Sequence, residues 1–367
     1  MSSTALPGAA GITFATNPVT TYPTHTTASL DNLAAAGTTN FSFSVIAQTV
    51  APVLSRNVDF DVTVSSSITA AATLTAPADG STGQLVRPTF VWDAVADALS
   101  YTVEIATDNG FTNIIETGTS DIPTYTASST LAATTQYFWR VTASNNCGTG
   151  AVSGVFSFTT GVPGSCPAGT TPNVVFTDDI EGDVSDWSRP AAPTGTNTWA
   201  QSGVRLNSGV SSFLAVDSNV SSDQYLISPP IILPSIAQSP LTLSYWNFQS
   251  MEVNSGTGDD ACWDGSFLEI STDGGANFTQ VVNANMFTDP YNGKITINAA
   301  NPSSGSDAWC ANASQPLTGP QETVAVVDLN QYAGQTVQFR FRMSTDGNTG
   351  DEGWYIDDVN VQSCIQN

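Results

Sequence analysis

His25 is the single histidine of the chain and lies in a Thr-rich stretch. A zinc peptidase needs two histidines and a glutamate at helical spacing, and no H-E-x-x-H occurs. No G-x-S-x-G marks a nucleophile elbow, and neither a P-loop nor a G-x-G-x-x-G is present. His25 is therefore expected to be solvent-exposed and inert. Carboxylates are the remaining chemistry. The stretch from Asp346 to Glu352 spaces Asp346, Asn348, Asp351 and Glu352 along a turn whose glycines permit bending. A hard cation such as calcium takes about six to eight oxygens from carboxylates, amide carbonyls and backbone, and this loop offers them. It is not an EF-hand, because the flanking helices and the ligand order are missing. The competing reading is a solvated turn in which Asp and Asn cap their own backbone. A glycosidase would instead need two carboxyls about 5–10 Å apart across a cleft. With 22 acidic residues in 166–367, chance supplies such a pair, so that signal is unspecific.

Aromatic side chains offer a second kind of chemistry. Six of the eight tryptophans, Trp187, Trp199, Trp246, Trp263, Trp309 and Trp354, lie beyond residue 166. Indole faces stack on sugar rings, and neighbouring polar groups orient the hydroxyls. Trp246 and Trp354 fall on alternating runs and are expected in a core. Trp263 and Trp309 each adjoin a cysteine in loops near Asp259 and Asp260. These four residues are the candidate ligand contacts, because loops on a rigid scaffold tend to carry function. Core packing is the plainer alternative.

The elements that must position these residues are strands. Short alternating runs bounded by Gly, Pro, Asn and Asp recur about every ten residues, with hardly any helical periodicity, which predicts an all-β chain of serial sandwiches. The net charge of −24, with Lys294 the single lysine, excludes nucleic acid and anionic membranes as partners, since both need basic patches. No stretch approaches the ~20 apolar residues that span a bilayer, so membrane insertion is not expected. Strong acidity alone would suit disorder, but 40% hydrophobic and 9% aromatic residues favour a folded chain. The five cysteines and the Thr/Ser/Gly-rich composition point to a secreted or cell-surface protein. No basic and apolar leader follows Met1, so the sequence reads as a fragment or a processed chain.

Three modules are expected. Residues 8–68, where Phe41, Phe43 and Val45 alternate, suggest a small immunoglobulin-like sandwich whose start is truncated. Residues 72–161 place Trp92 and Tyr101 on early strands and Tyr137-Phe138-Trp139 on a late one. That stretch resembles the fibronectin type III domains of bacterial surface proteins. Residues 166–364 open with VVFTDDIEGDVSDW and carry a D-G-x-x-L-E-x-S-T-D-G-G turn at Asp264–Gly275. They close with Val337, Phe339, Phe341 and Met343 alternating before G-W-Y-I-D-D. These pieces resemble the MAM-like jelly roll appended to secreted bacterial metalloproteases and adhesins, although no peptidase domain accompanies them.

A jelly roll sets its first and last strands side by side. It then implies that Asp178, Asp179 and Glu181 converge on Asp357 and Asp358, where calcium would neutralise the repulsion. Arg340 and Arg342 are the alternative source of neutralising charge. With five cysteines, one is left over. Cys262 with Cys310 is expected to staple a loop, and Cys166 with Cys364 to bracket the module. The rival pair, Cys147 with Cys166, is harder to close. The absence of CxxC speaks against redox or zinc roles. The functional expectation is a non-catalytic accessory or adhesive region of a larger secreted protein, calcium-stabilised and binding glycan or extracellular protein. A filament subunit exchanging edge strands into a homo-polymer, or part of a secreted hydrolase, are the alternatives.

Overall fold

The computed structural model describes the strands Ser2–Ser3, Gly11–Phe14, Ala28–Asp31, Asn40–Gln48 and Ser55–Thr63, and then residues 70–254, 262–297, 300–310 and 322–367. His25, Asp259 and Asp260 lie outside the described residues. Among the described residues, apart from short 3-10 turns, the regular structure is β-strand, arranged in several sheets that form sandwich modules. The chain divides into two compact units. One comprises Met1–Ser81, Pro88–Ser128 and Gln136–Phe158, the other Thr82–Arg87, Ser129–Thr135 and Thr159–Asn367.

In the first unit, Asn40–Gln48 pairs antiparallel with Ser55–Thr63, and Phe43 stacks on Phe60 with ring centroids 5.4 Å apart. Further along, a sheet runs in the order Ile114–Ser120, Ser100–Ala106, Gln136–Asn145, Phe156–Thr160, facing a three-stranded sheet of Thr124–Thr126, Thr89–Trp92 and Leu74–Ala76. Alternation drives one face of each inward. Phe90, Trp92, Tyr101, Tyr137, Trp139 and Phe158 are buried, with Trp92 against Tyr101 at 5.2 Å and Phe90 against Trp139 at 4.9 Å. Such tilted aromatic pairs contribute about 0.5–1.5 kcal/mol each beyond their area.

The second unit is a larger sandwich. One sheet runs Ala200–Ser202, Ser212–Ala215, Gly353–Gln366, Thr242–Ser250, Glu322–Asp328, Met286–Thr288, with Thr170–Asp178 also paired to Gly353–Gln366. The other, of five strands, runs Ser222–Ile227, Thr336–Thr345, Gly265–Ser271, Thr279–Gln280, with Ile231–Ile232 also paired to Thr336–Thr345. Between them Val337, Phe339, Phe341 and Met343 meet Leu243, Tyr245, Leu268, Ile270 and Trp354 in one buried cluster.

Gly353–Gln366 contains a feature that explains its paired acids. Trp354 and Ile356 point into the core, but so do Val359 and Val361, which have the opposite parity. The register against Thr242–Ser250 shifts between Ser244 and Trp246, and Asp358 sits at φ 49°. This is a β-bulge, one extra residue that exchanges the faces of the strand, and Asp tolerates the left-handed conformation better than most residues do.

Candidate metal centre and binding surfaces

Because neighbouring strands are antiparallel, the same end of the second sandwich collects the end of Ser212–Ala215, the end of Thr242–Ser250 and the start of Gly353–Gln366 from one sheet. It also collects the start of Gly265–Ser271 and the end of Thr336–Thr345 from the other. An acid stands just outside several of these ends: Asp217, Glu252, Asp264 and Asp346. Glu252, Asp264 and Asp346 each bring a carboxylate oxygen within 4.8 Å of the others, and this acidic triad can hold a metal ion.

Asp264 and Asp346 are buried, as is Asp217 beside them. Asp264 Oδ1 accepts the Asp346 amide at 2.5 Å, and Asp217 Oδ2 accepts the amides of Asp351 at 3.0 Å and Glu252 at 3.2 Å. The other oxygens, Asp217 Oδ1, Asp264 Oδ2 and Glu252 Oε2, are buried without a hydrogen-bond partner. A buried acceptor left empty costs about 1–3 kcal/mol, more when it is charged. Burial pushes the carboxyls of Asp264 and Asp217 well up from the ordinary range, and the charge of Asp217 raises Asp264 further. Glu252 is raised by burial and then by the charge of Asp346. Only a proton or a cation relieves such a cluster.

Glycines press the acidic loop onto the opposite segment. A Cβ on Gly350 would lie 2.5 Å from Asp217 O, and one on Gly353, at φ +119°, 2.0 Å from Ala215 O. No side chain fits either place.

Of the acids expected to hold calcium, Asp346 belongs to this cluster. Its neighbours do otherwise. Glu352 is taken by Arg205 through two bonds of 2.6 and 2.7 Å and accepts Tyr355 Oη at 2.9 Å. Asn348 caps Asp346 Oδ1 through its own amide at 2.7 Å, and Asp351 Oδ1 accepts the Glu352 amide. Each of the end-strand acids has hydrogen-bond donors of its own. Asp178 does pair opposite Val359, so the terminal strands are adjacent. Its carboxylate, however, accepts Trp187 Nε1 at 2.6 Å and the Ile180 amide. Asp179 accepts the Glu181 amide, and Glu181 accepts the amides of Val210 and Ser211. Asp357 and Asp358 are met by the backbone and side chains of Asn207 and Ser208. Each of these carboxylates thus accepts from donors within the chain. Arg340 and Arg342 pair with Glu269 and Asp223 instead.

Sequence reasoning missed Asp217, Glu252 and Asp264 as members of this cluster. Their signal was positional, an acid just beyond a strand end, and it becomes readable only once the strand order is known.

Trp309 is fully buried, its Nε1 donating to Asp289 O at 2.9 Å, so its faces pack in the core and cannot meet a ligand. Trp263 is half-buried beside the acidic cluster, its amide donating to Glu252 O at 3.2 Å. Trp354 is in the core, whereas Trp246 joins Phe248, Tyr355 and Leu214 in a separate cluster. Cys166–Cys364 and Cys262–Cys310 are disulfides, and exposed Cys147 takes part in neither.

No family model matches the sequence, and no curated protein matches it. Among solved structures, a carbohydrate-binding module of the β-sandwich superfamily aligns at 15% identity and TM-score 0.28, covering 79% of this chain and 97% of that one. A SusE-like protein aligns at 9% identity and TM-score 0.26, covering 81% and 99%. The FN1–FN3 domains of chicken CNTN1 align at 11% and 0.22, covering 88% and 77%. Scores of this size carry no argument about function.

Proposed function

We propose that this chain is a non-catalytic extracellular region of a larger secreted protein, stabilised by calcium and binding glycan or protein. The observation that carries the reading is the set of empty, buried carboxylate oxygens where five strand ends meet. Asp217, Glu252, Asp264 and Asp346 would hold the ion. Calcium suits this donor set because it accepts several carboxylates in irregular geometry, whereas magnesium keeps more of its water. When bound, the ion supplies charge neutralisation. The residues supply a fixed crossing between the two sheets and the loop that carries Trp263. Two disulfides support a setting outside the reducing cytosol.

The test is thermal melting with and without EDTA. A site saturated a hundredfold over Kd adds about 2.7 kcal/mol, which moves the melting temperature of a domain this size by roughly 5–10 °C. Calcium should restore what EDTA removes, and magnesium at equal concentration should restore less. A melt indifferent to EDTA and calcium would remove the basis of the proposal. Glycan-array binding with and without EDTA then separates glycan from protein as the ligand.

A further inference from the structure

We infer that the outward face of the five-stranded sheet, centred on Arg340, is a contact surface for a neutral glycan; this rests on the glycan reading above. The register sets Tyr225, Arg342 and Phe267 in one row across three strands, and Ile227, Arg340 and Glu269 in the next. The Arg340 guanidinium lies between two rings, 4.4 Å from the centroid of Tyr225 and 4.2 Å from that of Phe278. Its Nε donates to Glu269 Oε2 at 2.5 Å. Glu269 is fixed in turn by Arg342, which also grips Asp223 through bonds of 2.7 and 2.9 Å.

This clamp leaves a particular edge unused. Among the described residues no acceptor meets Arg340 Nη1 or Nη2, and the side chain keeps 16% of its exposure. Two parallel N–H donors are therefore held in a fixed plane, flanked by the half-buried rings of Tyr225 and Phe278. An arginine ordinarily gives up considerable rotamer freedom on binding, and here that freedom is already gone. Adjacent hydroxyls of a sugar ring accept such a fork, while the edges of the two rings bound the space around it. An anion would fit the fork equally well in shape. Charge decides against it: Glu269 and Asp223 balance the two arginines, and residues 166–367 carry 22 acids against 5 bases. A chain with eight basic residues has placed two of them in adjacent rows of one sheet face.

The experiment is isothermal titration of the full chain, calcium present, with soluble glucan, mannan, xylan and galactan, and with polygalacturonate as the acidic arm. Amide exchange of the wild-type chain with the bound polymer gives a second readout that needs no variant. A neutral glycan should bind, and R340K should weaken it about tenfold or more because lysine lacks the fork. Protection should rise in Ser222–Ile227, Gly265–Ser271 and Thr336–Thr345. Binding that survives R340K and protects elsewhere would refute this surface while leaving glycan binding intact. Preference for polygalacturonate would refute the neutral chemistry. Binding of none of the polymers would overturn both the surface and the glycan reading.

Discussion

Asp289 shows how a single buried carboxyl makes stability depend on pH. Burial pushes it up to about 6, although Asn247 Nδ2 donates to its Oδ2 at 2.5 Å. An acid whose pKa is raised on folding contributes fully below its unfolded value, near 4, and loses that contribution as the pH rises through about 6. D289N should remove this dependence, since Asn accepts the same bond and tolerates the φ of 53°. Denaturation of wild type and variant from pH 4 to 8 should show the variant gaining roughly 2–3 kcal/mol relative to wild type across that window. A constant difference would show that Asp289 is not the titrating group. At the carboxylate cluster the sign of a substitution depends on the ion. Without metal, Asp264 stays buried only by keeping a proton that the unfolded chain gives up, so D264N should raise the melting temperature at neutral pH by a few degrees. With calcium it should abolish the rise seen in wild type. A variant that melts lower than wild type in EDTA would mean that repulsion there is already relieved without metal.

The strand Thr336–Thr345 was readable at once, because a half-buried strand must alternate and Val337, Phe339, Phe341 and Met343 do. The adjacency of Thr170–Asp178 and Gly353–Gln366 was also readable, through the jelly-roll resemblance, and the pairing of Asp178 with Val359 agrees with it. Alternation could not reveal the bulge at Asp358, which appears in sequence merely as two acids in a row. For the same reason alternation could not show the partners of those acids: Asp357 and Asp358 accept from Asn207 and Ser208. The acidic cluster escaped notice because its members are neighbours through strand order and distant along the chain. Deleting Asp358 removes the extra residue and leaves Trp354, Ile356, Val359 and Val361 in plain alternation, so that variant should still fold. Inserting one alanine after Asp358 should instead send Val359 and Val361 to the wrong face, exposing two core residues and costing several kcal/mol, enough to abolish cooperative melting. D358G should lose far less than the insertion, since glycine accepts the positive φ and only the bonds to Asn207 and Ser208 are given up. If the insertion variant melts as wild type does, the bulge does not set the face.

For the chain as a whole, the covalent ring closed by Cys166–Cys364 matters more than any single contact. The sequence separation is 198, and closing so long a loop removes unfolded-state entropy worth about 5 kcal/mol in the chain-entropy model. The double variant C166S/C364S should lose several kcal/mol in denaturant melts, whereas C147S, outside both bridges, should lose almost nothing. Equal behaviour of the two variants would show that the ring adds little to what the paired terminal strands already hold.

That ring also settles how the second unit answers to pulling. Thr170 lies opposite Gln366, so the chain enters and leaves the sandwich at the same end of two neighbouring strands. Tension drawn through the polypeptide would peel such strands apart one hydrogen bond at a time, the weakest way to open a sheet. The Cys166–Cys364 bridge stands at that end and carries the tension straight across. The rest of the chain could stretch while this unit kept its shape. In single-molecule pulling, the length stored between Cys166 and Cys364 should stay hidden until a reductant is added, and its release under oxidising conditions would show that the bridge does not shield the unit.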